Sequence, residues 1–535
     1  MRFNSRRSEV YAMNGMVAAS QPLAAQIGLR ILQAGGNAAD AAVATAAALN
    51  VTEPTSTGIG GDCFALFFDG KTKKVSGING SGRAPDGLNI GKLNEIGIVD
   101  KIPFTGVHSI TVPGAAAGWI DTIDRHGTMA LKDILQPAID LAENGFPVAP
   151  ITARSWKIGE TRLKSGPNAN EMLLNGEAPK INQVMRNPTL AITFKELIQH
   201  GKAGFYEGRI AESIVDLITS MGGFMELDDL KKHTSTFDTP ITTNYKGVDV
   251  YEIPPSGQGI TALIGLNILE EFNLSEFNPF SSEYLHILIE AMRLAFADAN
   301  WYVADPAMTN VPIKELLSKD YATKRRSLID LSKASIDVQK GSPTASSDTV
   351  YFSVVDGDGN ACSFINSNYA GFGTGLIPKG CGFTLQNRGA GFSLNPNHPN
   401  SLQPGKRPYH TIIPGMAIKD SELFASFGVM GGYMQPQGHV QVMLNMIDHG
   451  MNTQEALDHP RFCILDGNHN GSIAIEDGYS FETISKLSQM RHVITPVSGF
   501  GRGVFGRGQI IKRNPENGIL EGGSDPRADG LVAAW

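Results

Sequence analysis

The sequence predicts a mixed α and β fold in which sheets are sandwiched between layers of helix. Three observations carry this reading. Helix-patterned stretches at 20–52, 114–220 and 281–302 alternate with short runs of strand character. A Gly-, Ser- and Pro-rich loop separates helix-rich chain from strand-rich chain. The 535 residues also exceed what one hydrophobic core usually supports.

Taken in order, Ser20 is placed to cap a helix with Pro22 in its first turn, which Gly35 and Gly36 stop. Asn37 caps a second helix, AADAAVATAAALNV, whose small residues on every side suit a buried layer. GIGGDCFALFFDGKTKKVSGING reads as strand, Asp-Gly turn, strand. The region 114–220 is mostly helical, with breakers at GFPV and SGPN, and KGVDVYEIPPSGQGI is strand and loop. In SSEYLHILIEAMRLAFADANWY a stripe of Leu285, Leu288, Ile289, Met292, Phe296 and Trp301 marks a long amphipathic helix.

From Pro306 the chain turns polar and ends in KGSPTASSD, composition that predicts an exposed loop where a cut would be tolerated. TVYFSVVD, DGDGN and ACSFIN then form a β-hairpin.

Bulk properties exclude several classes. Net charge is −8 and the basic residues are scattered, so nucleic acid is not an expected partner. The four cysteines lie far apart, which suggests neither a zinc site nor a disulfide framework and fits a reducing compartment. No apolar stretch suits a signal peptide or a membrane span, so a soluble, cytoplasmic protein is expected. GKT at 70–72 has Ala65 where a phosphate-binding loop needs glycine, and GFGTG and GFGRG lack the spacing of a dinucleotide fingerprint. Neither HExxH nor GxSxG occurs, and no metal or cofactor is expected.

Thr349 poses the chemical question. As the opening residue of a hairpin it is well explained by β-branching alone. Were the Asp348–Thr349 bond broken, its free α-amine, with a pKa of about 7.7–8.0 in model compounds, could activate its own hydroxyl as a nucleophile. Gly431-Gly432, in SFGVMGGYMQPQG, could supply oxyanion-binding N–H groups or be only a tight turn.

The chain as a whole resembles the γ-glutamyltranspeptidase (glutathione hydrolase) family of N-terminal nucleophile hydrolases. The likeness runs through NGMVAASQPLAAQIGLRILQAGGNAADAAVATAAALNVTEP, GIGGDCFALF, VPGAAAGW, YEIPPSGQGI, DTVYFSVVDGDGNACS, FGTG, KRPYHTIIP, GVMGGY and GGSDPRADG, in family order. The resemblance implies an α+β, four-layer αββα N-terminal nucleophile hydrolase fold, and self-cleavage into a large subunit, 1–348, and a small one, 349–535, that remain interlocked. It implies Thr349 as nucleophile, Gly431 and Gly432 as oxyanion donors, and Ser367 where the family has a threonine beside the nucleophile.

The substrate-binding pattern departs from the family. Ser81 stands at the family's arginine, with Arg83 two residues on. The amine-binding Asn, Gln and Asp fall on Tyr369, Arg388 and Gly391, and the carboxylate-binding serines on His410 and Thr411. Arg388 disfavours a free α-amine, whereas Arg83 and Arg388 could each clamp a carboxylate or serve a structural pair. His410 could touch substrate or hold a backbone carbonyl. This pattern resembles the branch of oxamate amidohydrolases and cephalosporin-type acylases. The expected activity is hydrolysis, with transfer to an acceptor left open, of a small carboxylate-bearing amide, either γ-glutamyl (glutathione) or a related non-γ-glutamyl amide such as oxamate, through an acyl-Thr349 ester. An inactive, unprocessed scaffold is the alternative, and a homo-oligomer is an open option.

Overall fold

The computed structural model describes residues 7–335 and 349–535. Asp348 and the KGSPTASSD loop lie outside them. Two sheets stack face to face. One has six strands in the spatial order Leu531–Ala534, Met16–Ala19, Val350–Val355, Ala361–Ser367, Asp62–Asp69 and Lys74–Gly80. The other has seven, ordered Val10–Ala12, Leu520–Ser524, Arg507–Arg513, Glu422–Met430, Gly415–Lys419, Val248–Glu252 and Ile241–Tyr245. All neighbours in both sheets are antiparallel.

The period-2 pattern of the hairpin explains the layering. Val350, Phe352 and Val354 point into the core under the first helical layer, while Tyr351 and Val355 point into the core between the sheets. Helices Pro22–Gln33, Ala38–Thr52, Ala115–His126 and Leu131–Asn144 cover the six-stranded sheet. Gly259–Glu270, Ser282–Tyr302 and Met434–Ile447 cover the seven-stranded one. The molecule is therefore helix, sheet, sheet, helix, as the family resemblance implies.

Most sequence-expected elements form where expected, for visible reasons. Every residue of the alanine-rich helix Ala38–Thr52 is buried, and Asn37 closes a capping box with Asp40. Two expectations are corrected. Gln21, not Ser20, occupies the cap of helix Pro22–Gln33, because the Ser20 hydroxyl donates instead to Glu53 Oε2 at 2.6 Å. Trp301 does not continue the buried stripe of Ser282–Tyr302: it is 52% exposed and lies edge-on to the His398 ring. The GFPV breaker forms a two-residue strand, Phe146–Pro147, paired with Val184–Met185.

Candidate active site

The site is built where the two sheets meet at one end. Thr349 is fully buried just before strand Val350–Val355. Its Oγ1 lies 3.0 Å from Ser367 Oγ on the neighbouring strand, and Ser367 Oγ also accepts the Tyr369 N–H at 2.8 Å. The facing sheet brings up the glycine pair. Ser353 Oγ donates to Ser426 Oγ at 2.6 Å, and two residues along each strand a Cβ on Gly428 would lie 2.5 Å from the Tyr351 ring. A further step of two carries the chain to Thr349 on one strand and Met430 on the other, one residue short of Gly431.

Gly431 and Gly432 have φ of +137° and +59°, left-handed values that glycine adopts without strain. They connect strand Glu422–Met430 to helix Met434–Ile447, at the positive end of the helix dipole. Their carbonyls accept from Met434 and Gln435 N–H, and the Gly432 carbonyl also accepts Gln258 Nε2 at 2.8 Å. Gln258 Nε2 reaches the Thr411 carbonyl as well, while Gln258 Oε1 accepts the Tyr409 hydroxyl. One buried amide thus ties the glycine turn to the 409–411 segment.

That segment and Arg388 form a buried charged cluster. Arg388 is fully buried; its Nη1 donates to Thr411 Oγ1 at 2.7 Å, and its guanidinium carbon sits 4.0 Å from the centre of the Tyr369 ring. Its Nε and Nη2 are buried without a hydrogen-bond partner among the described residues. These two atoms form one edge of the guanidinium fork, the edge that matches the two oxygens of a carboxylate. Burial lowers the Arg388 pKa to about 10, so the group stays cationic at neutral pH.

Asp62 is the nearby carboxylate, and it is saturated. Its Oδ1 accepts from Gly82 N, Gly114 N and Gln386 Nε2, and its Oδ2 accepts His410 Nε2 at 2.9 Å. His410 Nδ1 faces the Ile412 N–H at 3.4 Å, so the ring carries its proton on Nε2. Burial, reinforced by Arg388, lowers the His410 pKa to about 4 against the pull of Asp62, and the ring is neutral at pH 7.

The sequence-derived residues divide accordingly. Thr349, Ser367, Tyr369, Arg388 and Thr411 form one chain of direct contacts, and His410 adjoins it through Thr411 and Asp62. Tyr369 adopts φ +75°, which turns its ring over Arg388. Arg83 is half-buried and donates to the Thr234 carbonyl at 3.2 Å, the same carbonyl that Arg407 reaches, so its contacts lie with the 234–236 segment. Gly391 ends the short turn that starts at Arg388. Asp62 and Gln258 were missed by sequence reasoning, although both lie within quoted motifs, GIGGDCF and YEIPPSGQGI. Their partners are 348 and 174 residues away for the His410 and Gly432 contacts, which no local pattern encodes.

Two stacked antiparallel sheets between helical layers, with a threonine at the start of a central strand, define the N-terminal nucleophile hydrolase class. The sequence profile of γ-glutamyltranspeptidase matches residues 24–535, and the chain belongs to that family. It is similar to a glutathione hydrolase-like proenzyme of Bacillus subtilis, 38% identical over 97% of this chain and 98% of that protein. It is 32% identical to an oxamate amidohydrolase proenzyme of Klebsiella pneumoniae, over 98% of both chains. The crystal structure of a cephalosporin acylase from Bacillus halodurans superposes with a TM-score of 0.92 at 45% identity, covering 99% of this chain and 97% of that one. The protein is accordingly an enzyme, an amidohydrolase of the N-terminal nucleophile type.

Proposed function

We propose that the enzyme hydrolyses a small amide whose acyl part bears a carboxylate and no free α-amine, using Thr349 as an N-terminal nucleophile. The observation that carries the substrate class is Arg388, a buried cation with two adjacent N–H groups unpaired and the nearby Asp62 fully occupied. A carboxylate satisfies both donors; an ammonium would meet like charge with no acceptor to offset it. The relatives named oxamate amidohydrolase and cephalosporin acylase support a reading outside γ-glutamyl compounds.

In this reading the Thr349 hydroxyl attacks the Asp348 carbonyl, the C–N bond breaks as its nitrogen takes up the proton, and water hydrolyses the resulting ester, which releases the Asp348 carboxylate and frees both the α-amine and Oγ1. The freed α-amine takes the hydroxyl proton as Oγ1 attacks the substrate amide carbonyl. Gly431 and Gly432 N–H groups donate to the oxyanion, and Ser367 holds Oγ1 in line. The ammonium then returns its proton to the departing amine, leaving the acyl ester, which water hydrolyses with the same amine as base.

The test compares γ-glutamyl anilide with glutaryl anilide, which differs only in lacking the α-amine, and adds oxamate and other N-acyl amides. We expect the glutaryl compound or another amine-free acid to be turned over at least about tenfold better, since 1.4 kcal/mol separates tenfold rates. Preference for the γ-glutamyl anilide would overturn this assignment of Arg388.

A further inference from the structure

The site at Thr349 leaves unused a buried cluster in the opposite half of the molecule. We propose that His286, Glu290 and His492 form a structural site for a divalent cation of the zinc class. The three are 1%, 2% and 4% exposed, and each offers a ligand atom within 4.8 Å of the others. His286 and Glu290 lie one turn apart on helix Ser282–Tyr302, hence on one face. His492 comes from the turn between helix Phe481–Gln489 and strand Ile494–Val497.

Two of the three have the outer partners of metal ligands, whereas His492 Nδ1 is buried without a hydrogen-bond partner among the described residues. His286 Nε2–H donates to the Asp330 carbonyl at 2.8 Å, which leaves the Nδ1 lone pair facing His492 Nε2 at 2.7 Å. Glu290 Oε2 accepts the Ser335 N–H at 2.9 Å, while Glu290 Oε1 is buried without a hydrogen-bond partner among the described residues. Metal-bound histidines characteristically donate their second N–H to a backbone carbonyl, and bound carboxylates are similarly held.

A histidine–histidine hydrogen bond accounts for one of these contacts, and Glu290 Oε1 has only the 3.5 Å ion pair with Arg293 Nε, too long for a hydrogen bond. A cation uses lone pairs from all three residues, with the His492 proton on Nδ1. At metal–nitrogen distances of about 2.0–2.1 Å in a tetrahedron, the two ring nitrogens separate to about 3.4 Å, a small rotation from 2.7 Å. Two imidazoles and one carboxylate leave a fourth position for water.

The adverse charge is Arg293, 3.5 Å from Glu290 Oε1. The atom facing Glu290 is Nε, while the two Nη groups donate to the His469 and Gly471 carbonyls. The Asp330 carboxylate, bound by Ser332, adds negative charge on the His286 side. The cation would tie segment 330–335 to the helix and to the 490–492 turn, a link that Ala334 N–H already makes to the Met490 carbonyl. Residues 330–335 are the last described before Thr349, so the staple would anchor that end of the large-subunit segment.

The proposal is independent of the catalytic reading, and its test does not use activity. Metal content of the full-length protein is measured by mass spectrometry. Chelator-stripped protein is then titrated with cobalt(II), whose tetrahedral absorption reports geometry. One equivalent of tightly held metal, with affinity at least about tenfold weaker in Glu290→Gln and His492→Asn, is the expected result, because outer partners alone are worth about 10–100-fold. Glu290→Gln keeps the shape and the Ser335 hydrogen bond, and circular dichroism confirms its fold. Wild-type protein that binds no cobalt, or variants that bind it as tightly, would overturn the proposal.

Discussion

At the scale of the residue, the proposed chemistry rests on two side chains, Thr349 and Arg388. Thr349→Ala keeps Cβ but loses the methyl group and the hydroxyl that pairs with Ser367. It is expected to remain a single chain and to show no turnover, as read by denaturing electrophoresis and a substrate assay. Arg388→Gln keeps a donor towards Thr411 and removes the charge. Hydrogen bonds to charged groups are worth about 1.5–3 kcal/mol, so kcat/KM for a carboxylate-bearing amide should fall by about 10–150-fold. An equal fall for a neutral amide of similar size would argue that Arg388 only supports the fold. Thr349 and Arg388 were legible in the sequence because each sits in a run that fixes its position, the hairpin for one and the family order for the other. Arg83 was equally conspicuous, yet its hydrogen bond goes to the Thr234 carbonyl. A guanidinium reaches too far for sequence position alone to fix its partner.

At the scale of the element, the proposed oxyanion site rests on the glycine turn and its supports. Gly431→Ala forces φ near +137° on a residue with a Cβ, which would also lie 3.1 Å from Gly506 Cα. The turn should shift, and kcat should fall by about 10²–10³, the cost of one misplaced oxyanion donor. Unchanged kcat in a folded variant would remove the turn from the mechanism. Gln258→Leu tests the support directly: losing its bonds to Gly432 and Thr411 should lower kcat more than it raises KM. Such supports explain the limits of sequence reading. The hairpin and the Asn37 cap follow from local pattern, but the Ser20 cap was lost to Glu53, a partner 33 residues away. Trp301 likewise matched the helical period, yet it lies at the solvent face between buried Ala299 and Val303.

At the scale of the whole molecule, each sheet mixes strands from before and after residue 349, so pieces 1–348 and 349–535 would share both cores. Separation would expose both, and the pieces should co-elute in native chromatography. Stability should also depend on pH in a stated direction. His233, His410 and His459 are buried and His126 is half-buried, and loss of solvation lowers their pKa values from 6.5 to about 3, 4, 4 and 4. The unfolded chain binds more protons below pH 6.5, so the stability present above that pH is lost as pH falls towards about 4, at up to about 1.4 kcal/mol per unit per histidine. Urea midpoints that rise between pH 6.5 and 4 would contradict this. The central claim is that Thr349 becomes an N-terminal nucleophile, and intact mass under denaturing conditions, with N-terminal sequencing, tests it most directly. The account predicts two chains, the shorter beginning TVYFSV. A single uncut chain that nonetheless hydrolyses amide substrate would contradict it.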